Sequence, residues 1–192
     1  MTADLSRQLN ALGLVAVGTV LVLAFADQLW FRDLPCPICI LQRAGFIAAG
    51  FGIALNLIFG SRPSHYGLAI LGAMAGGIMS ADQVLHYIVP GTGSYGNAVF
   101  GLHLYTWALI GFALIVVGCA VMLLFDRQYE SSGAISLREV TLPLLALALL
   151  GLLAVANIIS TLAICGVGLC PEVPAGYLIF HENLGLAQFK SS

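Results

Sequence analysis

Four of the five cysteines fall in two close pairs, Cys36-Pro37-Ile38-Cys39 and Cys165-Gly166-Val167-Gly168-Leu169-Cys170. Two cysteines three apart close a small ring, and strained, exposed disulfides exchange readily with thiols. If a helix begins just after Pro37, Cys39 lies at its N-terminus, where unpaired amides and the helix dipole favour a thiolate. Arg43 follows one helical turn later and adds a fixed positive charge. The competing readings are a zinc half-site or inert thiols. A structural zinc site takes four ligands, and Cys165 and Cys170 are spaced unlike a zinc knuckle and lack a flanking histidine. The redox reading is preferred, and no metal is expected.

In the second pair, Gly166 and Gly168 let the chain bend tightly enough to join the sulfurs. A structural staple is one reading of it. A loop this short removes little entropy from the unfolded chain, however, and an exchangeable disulfide accounts better for two neighbouring cysteines. Cys119 sits in the apolar run from Leu114 to Phe125, reads as a small buried hydrophobe and is given no role.

The elements that must position these sulfurs are membrane helices. Of the 192 residues, 60% are hydrophobic and 8% charged, against roughly 25% charged in a soluble domain. The 22 glycines lie largely in apolar segments, as close packing of membrane helices allows. A net charge of -2 with scattered cationic residues does not suggest a nucleic-acid partner, and none is expected. Crossing the hydrocarbon takes roughly 20 helical residues. That criterion predicts an all-α polytopic protein in one membrane domain, with spans near 10–29, 43–59, 66–89, 102–125 and 139–162. The first span is read as a membrane helix rather than a signal peptide, because more apolar segments follow it.

Charge sets the expected orientation. Arg7, Arg62, Arg127 and Arg138 lie at one set of ends, and Arg32, Arg43 and Lys190 at the other. The more cationic set is expected to face the cytoplasm. The N-terminus is then inside, while the redox loop 30–42 and the tail 163–192 both face the oxidising side, where disulfides persist. Asp82, Gln83 and His86 near the outer end of the third span are polar groups at membrane depth and so functional suspects; Asp82 and His86 are four apart and share a helix face. His103 and Trp107 are candidates for walls of the same pocket or for interfacial anchors. Asp27 and Asp33 read as solvated or capping groups, and the tail from Tyr177 to Phe189 as a segment on the membrane surface.

The run Pro35-Cys36-Pro37-Ile38-Cys39-Ile40-Leu41-Gln42-Arg43, between a first and a second span, resembles the signature of the DsbB family of disulfide-generating membrane proteins. The resemblance covers about the first four spans. It implies a DsbB-like four-helix bundle, here with one additional helix, in a bacterial inner membrane. It implies a quinone, ubiquinone or menaquinone, beside Cys39 and Arg43 with Gln42 and His86 in its site. It also implies a DsbA-like periplasmic thioredoxin-fold partner, with electrons passing from Cys165 and Cys170 through Cys36 and Cys39 to the quinone. A lipid-soluble two-electron acceptor gives the membrane setting a chemical reason, since thiol exchange alone only relocates disulfides.

The chain departs from the family in one respect. Members usually keep the second pair between their third and fourth helices, whereas the segment 90–101 has no cysteine and the pair follows a fifth span. An enzyme resembling vitamin K epoxide reductase and a non-catalytic module with a structural tail disulfide are the rival readings. In the former the quinone-facing pair usually belongs to a later helix.

Overall fold

The computed structural model describes residues 2–96, 98–129 and 137–166, together with 168, 170, 174 and 176–178. Five helices carry the fold: α1 (Ala3–Trp30), α2 (Pro37–Phe59), α3 (Pro63–Tyr87), α4 (Leu104–Leu123) and α5 (Leu137–Cys165). All five are long and apolar enough to cross a membrane. A two-stranded hairpin (Ala98–Val99 with Leu102–His103) precedes α4, and a single 3-10 turn (Asp126–Tyr129) follows it.

Helix boundaries differ from the apolar windows because capping, not hydropathy, decides where a helix begins. Thr2 caps α1 by accepting from the Leu5 amide at 3.3 Å, so the polar residues Asp4, Arg7 and Gln8 are helical although they lie outside the apolar run. Cys36 caps α2 in the same way and Pro37 takes its first position. The helix therefore starts at Pro37 rather than near residue 43, the connection shrinks from 30–42 to 31–36, and Gln42 and Arg43 are helical. Gly60, with φ 81°, ends α2 in a conformation that a side chain would oppose.

Glycines bring α2 and α3 into near backbone contact. A Cβ on Gly52 would stand 2.5 Å from the Ala69 amide nitrogen, one on Gly72 2.6 Å from that of Ala49, and one on Gly45 2.6 Å from Gly76 Cα. Small residues are how helices in lipid gain van der Waals contact where no hydrophobic force drives them together. Phe112 of α4 fills the space beside Gly76 and stacks on Phe46 of α2 with ring centroids 3.9 Å apart. α5 packs on α1 and α2 through Ala146, Leu150 and Leu153.

At the end of the bundle holding the α2–α3 connection, a buried polar network ties the helices together. Ser6 donates to Gln128 Oε1 at 2.8 Å, Asn10 Nδ2 donates to the Tyr66 hydroxyl at 2.7 Å, and Asn56 Nδ2 donates to Asn10 Oδ1 at 3.1 Å. Gln128 in turn donates to the Met122 carbonyl. These neutral groups satisfy one another, which an apolar surround demands.

Candidate functional site

The opposite end carries both cysteine pairs. Cys36 and Cys39 form a disulfide with Cα atoms 5.0 Å apart, and Cys165 and Cys170 form another at 4.4 Å. The second bond closes just past the end of α5, where Gly166 adopts φ 61°. Ile40, Ile164 and Cys165 are buried as one apolar cluster, with Leu34, Cys170 and Tyr177 packed against it. The residue next to Cys39 thus packs with the second disulfide, and the two pairs share one end of the bundle.

Local geometry distinguishes the sulfurs. Cys39 lies in the first turn of α2, and Cys36 is the capping residue: its Sγ accepts from the Cys39 amide at 3.0 Å. Cys36 and Cys165 are 5% and 4% exposed, whereas Cys39 and Cys170 are half-buried. Each disulfide therefore offers one more accessible sulfur. Gln83 of α3 lies over the first bond, its Nε2 at 3.6 Å from Cys36 Sγ and 3.9 Å from Cys39 Sγ. Gln42 Nε2 donates to Gln83 Oε1 at 2.9 Å.

Arg43 is buried and held on three sides. Its Nη1 donates to Gln28 Oε1 at 2.6 Å, its Nη2 to the Ala24 carbonyl at 2.8 Å, and its guanidinium carbon lies 4.6 Å from the centre of the Phe25 ring. A cation so far from bulk water needs such partners. Gln28 Nε2 also donates to Ser160 Oγ at 2.9 Å and to the Tyr177 hydroxyl at 3.2 Å. One glutamine on α1 therefore joins Arg43 to α5 and to the segment after the second disulfide.

Cys39, Gln42 and Arg43 line one cavity of about 490 Å³ between α1, α2 and α4. Its walls are mainly apolar, including Val20, Leu21, Ala108 and Leu114. Its rim includes the loop before α4, where the Tyr95 hydroxyl donates to the Leu34 carbonyl at 2.5 Å and Trp107 Nε1 donates to the Val99 carbonyl at 3.0 Å. Burial, then the Asp33 carboxylate and the Tyr87 phenol, push the Tyr95 phenol above its ordinary range, so it stays a donor. A second cavity of about 530 Å³ runs on toward Asn10, Tyr66 and Cys119 and shares Val20, Phe46, Gly111 and Leu114 with the first. Together they form an apolar groove along α1 and α4 with its polar head at Cys39 and Arg43.

The remaining sequence candidates fall around this centre. Asp82 and His86 are both exposed on α3, and His86 meets the Tyr87 ring edge-on at 4.9 Å, outside the cavity lining. Gln83 is the α3 residue turned inward, at 2% exposure. His103 stacks on Tyr105 at 5.3 Å and does not line the cavity, whereas Trp107 does. Asp27 and Asp33 both line it. Cys119 is a buried free thiol among apolar neighbours. The tail from residue 179 lies outside the described residues. Gln28 and Tyr95 were not singled out from the sequence; a glutamine closing an otherwise apolar helix was the available signal for the first.

Residues 6–92 match the family described as disulfide bond formation protein DsbB. The match takes in α1 to α3 and the first cysteine pair, and stops short of α4, α5 and the second pair. No curated protein and no solved structure gives a significant match. With five apolar helices and the Cys36–Cys39 disulfide at the start of the second, the chain is similar over residues 6–92 to the DsbB family of helical membrane proteins.

Proposed function

We propose that the protein is a thiol:quinone oxidoreductase that reoxidises a periplasmic DsbA-like thioredoxin-fold protein and so sustains protein disulfide formation. In this reading it lies in a bacterial inner membrane with its N-terminus cytoplasmic and its C-terminus periplasmic. The observation that carries the reading is the apolar cavity whose polar end is Cys39, Gln42 and Arg43. The second disulfide is packed against the neighbouring Ile40.

The cavity fits the class of acceptor. About 490 Å³ is within the usual range for a small-molecule site, its apolar groove suits a lipid-soluble chain, and the Arg43 guanidinium and Gln42 amide offer donors for carbonyl oxygens. When bound, a quinone, ubiquinone or menaquinone, supplies a two-electron, two-proton acceptor. A partner thiolate attacks the half-buried Cys170, breaking its bond to Cys165; the partner's second thiolate then closes its own disulfide and leaves both tail cysteines reduced. A tail thiolate attacks Cys36, and the electron pair of the broken bond moves to Cys39, whose sulfur faces the cavity. The second tail thiolate completes the exchange, leaving Cys36 and Cys39 reduced and the tail disulfide restored. Arg43 holds positive charge beside the Cys39 thiolate. His86 is not among the residues lining this cavity.

Purified protein in detergent with quinone and a reduced thioredoxin-fold oxidant tests this by quinone absorbance. Wild type is expected to reduce the quinone, and Cys39→Ser and Cys170→Ser to abolish turnover. An inactive wild type overturns the reading. Burial of Cys165 favours one second reading, in which the tail disulfide is a staple; full activity of Cys170→Ser would establish that instead.

A further inference from the structure

We propose that Gln83 is a catalytic residue, its side-chain amide donating to the sulfur that takes up the electron pair when the Cys36–Cys39 bond opens, with Gln42 as the positioning residue that aims it. The proposal rests on the thiol-exchange reading above and adds to it the group that receives the charge.

Three observations carry it. Gln83 is 2% exposed and packed in the bundle, yet its amide nitrogen lies within reach of both sulfurs, 3.6 Å from Cys36 and 3.9 Å from Cys39. An amide has a donor end and an acceptor end, and Gln42 Nε2, 2.9 Å from Gln83 Oε1, occupies the acceptor end. The donor end is thereby turned to the disulfide. A flipped amide would lose the Gln42 bond and press an oxygen lone pair against sulfur. Finally, the two sulfurs are served unequally. Cys36 Sγ already accepts from the Cys39 amide at 3.0 Å, so the helix terminus cares for Cys36, while Gln83 reaches Cys39 as well.

The disulfide itself is a weak acceptor and gains little from this amide. When an incoming thiolate bonds to Cys36 Sγ and the S–S bond breaks, a full negative charge arrives on Cys39 Sγ in a poorly hydrated place. Donors already aimed at such a charge cost no reorganisation and act more strongly than in water. Hydrogen bonds to charged acceptors are also the stronger class. Gln83 thus stabilises the thiolate that must next give up its electrons. The titratable groups sharing the cavity wall with Cys39 are Arg43, Asp27, Asp33, Tyr95 and Tyr105, and Asp82 on α3 is exposed; none of these is altered by the test.

The test follows alkylation of Cys39 by iodoacetamide against pH in reduced full-length protein in detergent, read at the Cys39 peptide by mass spectrometry. Gln83→Leu is expected to lower the thiolate fraction at neutral pH about tenfold, a shift of about one pH unit. Gln83→Glu, which places a carboxylate against the sulfur, shifts it further the same way. Gln42→Leu, which frees the amide to turn, shifts it less. Unchanged Cys39 titration in Gln83→Leu and Gln83→Glu, with helical content retained, overturns the proposal; should Gln83→Leu not fold, Gln83→Glu and Gln42→Leu decide alone. The assay contains neither quinone nor partner protein, so its outcome is separable from that of the oxidoreductase reading.

Discussion

Replacing Gln28 by leucine should disable Arg43 without touching a cysteine. Leucine keeps roughly the volume and loses both polar ends of the side chain. One lost bond is the 2.6 Å contact from Arg43 Nη1; the others run to Ser160 and Tyr177. Arg43 is 7% exposed and Gln28 4%, so water does not readily replace the missing acceptor. The guanidinium retains the Ala24 carbonyl and the Phe25 ring. A hydrogen bond to a charged group contributes about 1.5–3 kcal/mol, and each 1.4 kcal/mol is about tenfold. If Arg43 acts from this position, kcat/KM for the quinone should fall roughly 10- to 150-fold in Gln28→Leu. Gln28→Glu restores an acceptor for the guanidinium, and the Ser160 and Tyr177 hydroxyls can turn to donate to it, so it should lie near wild type. Ser160→Ala and Tyr177→Phe each remove one outer partner of neutral character and should cost about 2- to 10-fold, about 0.5–1.5 kcal/mol. The assay is quinone reduction at varied quinone, with thermal unfolding in detergent as the companion measurement. Wild-type kcat/KM in folded Gln28→Leu would refute the reasoning, because an under-paired buried guanidinium cannot be without consequence.

Two further outcomes follow from the packing and the loop. Gly52→Ala should destabilise by about 1–3 kcal/mol, since its Cβ would meet the Ala69 backbone and the His65 carbonyl at 2.5 and 2.8 Å and neither can swing aside; Gly67→Ala, with nothing within 4 Å, should not. Thermal unfolding of the two variants in detergent compares them. Tyr95 has its phenol raised above 10.0 in the folded protein, so its contribution is fully present below the unfolded value and lost as pH rises through the folded one. Tyr95→Phe should therefore cost about 1 kcal/mol at neutral pH and reduce the alkaline loss of stability, measured as unfolding temperature from pH 7 to 12.

Most of the framework was legible in the chain. Apolar stretches of about 20 residues have one stable outcome in lipid, because each backbone group must be paired within its own helix, and five such stretches become five helices. The four helices between the first connection and the tail, an even number, bring Cys36 and Cys165 to one end, so the meeting of the two pairs followed from counting. Helix starts were less legible. A cap is worth about 1 kcal/mol whatever the local hydropathy, which is how Thr2 and Cys36 extend α1 and α2 beyond their apolar windows.

What the sequence determined by itself was therefore the solvent, the number of crossings, the two close cysteine pairs and the cation one turn beyond the first, because each depends on residue type and short-range spacing. What the tertiary structure decided was which way each helix turns and which distant partner its polar groups find. Asp82, Gln83 and His86 look alike as polar residues in an apolar span, and only packing against α2 turns Gln83 onto the disulfide while Asp82 and His86 face out. Gln28 and Tyr177 are 149 positions apart yet share a hydrogen bond. Rotation about a helix axis is set by the sum of many weak contacts with other helices, and no local pattern contains that sum.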